Sequence, residues 1–365
     1  EQSASADDTL PDQAFRMYDP ARRQEIDWGT LGNLGSAARP LLFQTQPWRG
    51  FDVGVHAFDL YMLKPEQLGF YRNVKTFSDV SFSQGRNQFE TNLGARFART
   101  FEGGANFSLD YRTLNNLGQY RYQRDKHNAL AMGLWLPFGK RYDGFLIYTR
   151  SVIRQQDNGG IVSDAIFGTG EFAGPIAAEI RLPREKAYSR LDDQNFQLTQ
   201  HLKLLGKDGG KRNLRVTHTL NWNQQKFKFS DQGDRTTGLG LDASFFPDTF
   251  LVDIRGLRHF MKVDRIDNAF TLNTFKVKNQ GHPSDLIAFG IAHSYFLVDQ
   301  EPRTFKVSNL FLTGNIALTP SEQFAFKAQG ALGVLENIGE YQLQGALSLG
   351  LGKAGRLGAS LLSQI

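Results

Sequence analysis

A few stretches of the chain carry residue types that support chemistry in other settings. Gly350-Leu351-Gly352-Lys353-Ala354-Gly355 has the spacing of a dinucleotide turn, whose glycines let backbone amides approach a pyrophosphate. That chemistry needs a helix directly after the turn. Here alternating segments flank it on both sides, so it reads as a hairpin. The histidines (His56, His127, His201, His218, His259, His282, His293) form no His-x-x-x-His pair and have no carboxylate at ligand spacing. Asp231-Gln232-Gly233-Asp234 opens like a calcium loop but lacks the acid that closes one. There is no Gly-x-Ser-x-Gly elbow, and Cys 0 excludes thiolate nucleophiles, thiolate metal sites and disulfides together. The expectation is a chain with no catalytic residue, no metal and no cofactor.

What remains is charge on surfaces. From Phe89 to Arg154 there are 10 Lys/Arg against 5 Asp/Glu, and rings of such charge set the selectivity of pores. The candidates for lining a lumen are Arg96, Asp110, Arg112, Lys203, Arg215 and Lys327; the competing reading is that several of these basic groups sit in turns or pair with Asp110 and Glu90. The overall balance of +5 is spread without a run of like charges, so no nucleic-acid partner is expected.

The elements that must position these charges alternate with the period of a strand. Leu93, Ala95 and Phe97 oppose Asn92, Gly94 and Arg96; after the turn at Glu102-Gly103-Gly104, Phe107, Leu109 and Tyr111 oppose Ser108, Asp110 and Arg112. The same pattern recurs through Leu198 to Leu204, Leu214 to Trp222, Leu310 to Leu318 and Tyr341 to Leu349. About 14 or 15 such segments run from residue 71 to 365. Short turns (Glu102–Gly104, Pro137–Asp143, Gly206–Lys211, Pro247–Thr249, Thr319–Gln323, Gly352–Gly355) alternate with looser connections (Leu117–Asp125, Gln155–Asp193, Gln224–Arg235, Gly256–Asp267, Asp299–Arg303, Leu335–Glu340), the layout of an outer-membrane barrel.

Alternation alone does not separate a soluble sandwich from a barrel in lipid. The segments run about nine to twelve residues, the length a tilted strand needs to cross hydrocarbon. Aromatics gather near segment ends (Tyr120, Tyr122, Phe138, Tyr142, Trp222, Phe245-Phe246, Phe296, Phe324), as in interfacial girdles. The polar face also carries more charge than a dry interior tolerates. With 30 Phe, 37 Gly and no apolar run long enough for a spanning helix, the fold expected is all-β: an antiparallel transmembrane β-barrel with an irregular N-terminal segment. Leu93, Phe107, Leu109, Tyr111, Leu214, Val216, Leu310, Leu312, Leu343 and Leu347 would face lipid, so a basic residue at Leu109 would be costly and one at Ser108 nearly free.

The chain resembles the Bacteroidetes putative porin family. The resemblance rests on Asp27-Trp28-Gly29-Thr30-Leu31-Gly32-Asn33-Leu34-Gly35-Ser36-Ala37-Ala38-Arg39-Pro40, Gly50-Phe51-Asp52-Val53-Gly54 and His56-Ala57-Phe58-Asp59. It extends to Phe82-Ser83-Gln84-Gly85, Asn115-Asn116-Leu117-Gly118-Gln119-Tyr120 and Gln155-Gln156-Asp157-Asn158-Gly159-Gly160-Ile161. It implies an outer-membrane barrel exported with a signal peptide that is then removed, and supplies no assigned site residues. Family members look longer and barrels of this kind end on a strand with a terminal aromatic, so the chain is expected to be the N-terminal part of a larger barrel.

Residues 1–70, with Pro11, Pro20, Pro40 and Pro47 and no sustained period, are expected to form a periplasmic, plug-like segment. Residues 27–59 would lie at the periplasmic mouth, packed through Trp28, Leu31, Leu34, Phe43 and Trp48, with Arg39 paired to a lumen acid such as Asp110; the alternative is a linker or a dock for a periplasmic protein. Gln155 to Asp193 would be an extracellular loop. The function expected is passive diffusion of small polar solutes, with or without a preference for anions. The alternative is a non-conducting barrel subunit of a larger outer-membrane secretion or uptake assembly. Expected partners are outer-membrane lipid and, in the alternative, other outer-membrane or periplasmic subunits; the oligomeric state stays open.

Overall fold

The computed structural model describes residues 19–24, 26–43, 49–71, 73–164, 174–175, 178–182, 187–206, 213–231, 251–253, 256–277, 283–321, 323–352 and 355–365. Alternating segments become an antiparallel wall of β3 (Phe77–Gln84), β4 (Thr91–Thr100), β5 (Asn106–Asn116), β6 (Asp125–Phe138), β7 (Tyr142–Gln156), β8 (Tyr188–Leu205) and β9 (Asn213–Asp231). It continues through β11 (Gly256–Val277), β12 (Pro283–Gln300), β13 (Arg303–Ser321), β14 (Phe324–Gly333), β15 (Tyr341–Gly350) and β16 (Arg356–Gln364). The short β10 (Leu251–Asp253) pairs with β11 off this path. Among the described residues β3 and β16 do not pair, so the wall is open along that seam. Ahead of it, β1 (Trp28–Thr30) and β2 (Ala38–Pro40) make a separate two-stranded hairpin.

Residues opposite one another in a ladder project to the same side, so register assigns every strand position to one face. One row reads Asp79, Arg96, Asp110, Ala131, Thr149, Asn195, Asn223, Arg265, Phe296, Val307. This side is polar and small; we call it inward, because the described parts of the N-terminal segment, above all residues 49–71, pack against it. The other side carries all ten residues expected to face lipid. It also shows an ordered boundary. Tyr148, Phe196, Trp222, Ile266 and Tyr295 lie in one row across β7, β8, β9, β11 and β12. Tyr148 and Phe196 have ring centroids 4.6 Å apart, and Phe196 and Trp222 stack at 5.8 Å. On one side of this girdle the outward rows are apolar, as in Tyr142, Leu202, Val216, Leu272, Phe289. On the other they turn charged, as in Asp192, Lys226, Lys262, Asp299. The girdle marks one surface of the hydrocarbon.

Strand length corrects the sequence reading. β8 has 18 residues, β9 19, β11 22, β12 18 and β13 19, where about nine to eleven would cross the membrane. The excess lies beyond the girdle as a collar. Gly256–Asp267, expected as a loose connection, is therefore strand, as is Gln224 to Asp231, and Asp299–Arg303 closes through a two-residue turn. Above the membrane an alternating strand no longer shows an apolar outer face, which is why these stretches read as loops. Phe296 points inward, 3 % exposed, and is not a girdle aromatic. Phe245-Phe246 and residues 165–173, 176–177 and 183–186 of the β7–β8 connection lie outside the described residues.

The irregular N-terminal segment forms a strap on the inward face. Leu63 is 1 % exposed against Ala129 and Ala131; Phe58, Tyr61 and Met62 pack on Ile153 and Leu191; Phe51 meets Met261, Val263, Phe296 and Val298. At Gly133 on β6 a Cβ would come within 2.6 Å of the Phe70 ring and 2.7 Å of Leu68, so glycine cuts the notch that admits the tail of the strap. Ser108, expected to tolerate a basic residue, is 1 % exposed on this covered side.

Candidate functional site

The strap is held largely by polar groups. Asn33 donates one amide hydrogen to the Asp125 carboxylate and another to the Gln123 carbonyl at 2.9 Å. Ala37 N–H donates to Gln155 Oε1 at 2.7 Å, and His127 Nε2 contacts the Gly35 carbonyl. Gly35 has φ +99°, and a Cβ there would lie 2.7 Å from Leu114 Cδ2, so glycine is required for the backbone to reach the wall. Further along, Leu63 N–H donates to Ser151 Oγ at 3.0 Å, and Asn106 donates to the Tyr71 carbonyl at 2.6 Å. By register, Leu63 and everything bound near Asp125, Ile153 and Gln155 sits above the girdle; the tail from Leu68 to Tyr71 and, on the other flank, Arg49 reach into the membrane-embedded part of the lumen.

Inside the strap, His56 Nε2 lies 2.9 Å from Asp52 and Nδ1 3.2 Å from Asp59, which Lys64 also meets at 3.2 Å. Partial burial works against the imidazolium, yet the two carboxylates outweigh it and the His56 pKa rises above its ordinary value. Beside the strap anchor, burial lifts the Asp157 carboxyl above the usual carboxylate range, against bonds from Ser189 and Gln155.

The lumen candidates fall into three places. Arg96 and Asp110 are ladder partners; Arg96 binds Asp79 at 2.5 Å and Arg112 clasps Asp110 at 2.7 and 3.1 Å, giving a neutral four-residue chain. Lys203 and Arg215 are ladder partners near the short-turn end, with Asp143 in electrostatic reach of Arg215. Lys327 stands apart on β14, inward and exposed. One further basic residue was missed in the sequence: Arg49 of the strap, within electrostatic reach of Arg265 and Asp267. It lines a cavity of about 460 Å³ with Thr271, Asn273, Thr313, Asn315, Gln329 and Gln342.

The plug candidates behave differently from the expectation. Leu31 is 61 % and Phe43 91 % exposed, and Arg39 is exposed in β2, while Asp110 is held by Arg112 instead. Trp28 and Leu34 are half-buried in the hairpin region, and Trp48 lies outside the described residues. Small residues dock here through backbone and amide bonds, so the large apolar side chains beside them are not what grips the wall. The apolar grip comes from Phe51, Phe58, Tyr61, Met62 and Leu63. The signal for it was the dense apolar run Phe58 to Leu63 closed by Pro65. The strap also meets the wall at the end carrying the long connections, because its anchors Asp125 and Gln155 flank those connections; the expected periplasmic mouth is the opposite end.

A family model described as "Putative porin" matches residues 1–364. The chain belongs to that family. It is a porin-type outer-membrane protein, and the wall, girdle and lumen described above are those of this family member. No curated protein matches. Among solved structures, the ferric-catecholate import receptor Fiu of E. coli K12 is similar at 8 % sequence identity and a TM-score of 0.43, covering 80 % of this chain and 46 % of the receptor chain. The chain thus spans about half the length of that receptor.

Proposed function

We propose that the chain forms part of a passive channel for small polar solutes, with the path running down the β11–β15 side of the lumen, past Arg49. The supporting observation is the cavity of about 460 Å³ below the girdle, where hydroxyls and amides alternate with the small or apolar Leu286, Ala288 and Ala331 and the strap adds a single cation. Such a lining offers donors and acceptors to solute without fixing it. Arg49 gives the path a bias toward anions, whereas Arg96 and Arg112 are neutralised by their own carboxylates. No residue is asked to make or break a bond.

The rival reading, a non-conducting subunit of a larger assembly, draws on the strap's close cover of β5–β8. Planar-bilayer recordings of the full-length protein separate the two. Steady single-channel steps, larger after deletion of residues 27–48, support the channel; silence both with and without the strap supports the subunit.

A further inference from the structure

Above the girdle the outward face of β6–β9 is basic to a degree that the fold itself does not need. One ladder row reads Asn115, Lys126, Arg154, Arg190, Lys228, Phe260, placing four cations side by side on four adjacent strands. Neighbouring strands are about 4.8 Å apart, and like charges directly opposite one another destabilise a sheet. Closer to the girdle Arg150 and Lys226 add to the patch, while Asp192 is the one acid on these outward positions, already bonded by Arg150 and Arg190. Arg154 and Lys228 share the Tyr188 ring at 4.6 and 5.9 Å, which holds both heads in the row.

We propose that this patch binds the anionic headgroup of a phosphorylated glycolipid in the membrane leaflet around the collar. It faces outward, away from the lumen and strap. It begins one row above the aromatic girdle with Arg150 and extends three rows above it to Arg154, a span of about 10 Å along the membrane normal. A simple phospholipid places its charge at one depth, whereas this patch asks for anions at several, as a phosphorylated sugar headgroup provides. In barrels of this kind the short turns face the periplasm, so the leaflet is the outer one. The inference rests on the outer-membrane placement and is independent of conduction.

The test uses the whole chain in neutral detergent, with native mass spectrometry to read bound lipid. The probes are rough-type lipopolysaccharide, the same glycolipid dephosphorylated, phosphatidylglycerol and inorganic phosphate. The phosphorylated glycolipid should bind best, and Arg154→Gln, Arg190→Gln and Lys228→Gln should each weaken it about fivefold. Because these substitutions relieve repulsion, unfolding in lipid-free detergent should be unchanged or later; if any of them does not fold, Lys126→Gln carries the comparison. Equal binding of the dephosphorylated lipid or by the variants overturns the proposal. So does phosphatidylglycerol matching the glycolipid, inorganic phosphate displacing it at equal concentration, or capture of an acidic protein by a row that ignores the glycolipid.

Discussion

The two flanks of the lumen are built from the same strand pattern and end in different states. On β6–β8 the inward residues are buried by the strap: Asp125, Ala131, Thr149 and Leu191 are each at most 1 % exposed. On β14 the corresponding positions Lys327 and Gln329 are exposed, and the polar cavity opens between β11 and β15. Alternation fixes which residues point inward but not what they meet. One flank is a docking surface and the other a candidate path, and that division comes from the strap alone.

The sharpest way to break this comparison is to weaken the strap's core. Leu63→Ala removes a fully buried side chain and should cost about 2–5 kcal/mol, whereas Gln329→Ala on the open flank should stay within about 0.5 kcal/mol. Urea unfolding in micelles measures both; equal small effects would mean that the strap does not share in the stability of the wall.

Next in size is an electrical contrast. Arg49→Glu should move the reversal potential in a salt gradient toward cation preference and change conductance severalfold. Arg96→Gln, inside its neutral chain on β4, should leave both near wild type. If the two substitutions act alike, solutes do not keep to the β11–β15 side.

A pH dependence sharpens the picture of the strap. His56 has its folded pKa raised, so its contribution is complete below the unfolded imidazole value of about 6.5 and is lost as pH rises through the higher folded value. Asp157 is raised as well, so its protonated form favours the folded state, and that contribution also fades with rising pH, beginning from the ordinary carboxyl range. Both act in one direction. Hydrogen exchange at the Ala38 amide, bonded to the Ala57 carbonyl at 2.8 Å, should quicken as pH rises beyond the intrinsic base-catalysed trend, and His56→Gln should flatten that excess near neutrality.

The smallest effect belongs to the exposed Arg96–Asp79 pair. Asp79→Asn should cost less than about 1 kcal/mol, with a midpoint shift near the limit of a denaturation curve.

Much of this was legible in the sequence for a simple physical reason. A face that meets lipid must be apolar at every second residue, so Leu93, Leu109, Leu214 and Leu347 announce both strand and side. The rule lapses where lipid ends, and the collar strands from Gly256 to Arg265 went unread. The lumen charges were found by type, but pairing across strands depends on register, and so the cancellation of Arg96 by Asp79 was invisible. The strap was hardest. Its most apolar residues, Leu31 and Phe43, suggested the contact surface, while the contact is made by Asn33, by glycine at residue 35 and by the Phe58–Leu63 run.

The collar also has an electrical consequence. A voltage applied across a bilayer falls almost wholly over the hydrocarbon, the thickness that the apolar rows span. His56, Asp52, Asp59 and Lys64 belong to the part of the strap anchored above the girdle, so they move through little of that field. A shift of that cluster transfers almost no gating charge; of the strap charges described above, Arg49, below the girdle, is the one placed to feel the membrane potential.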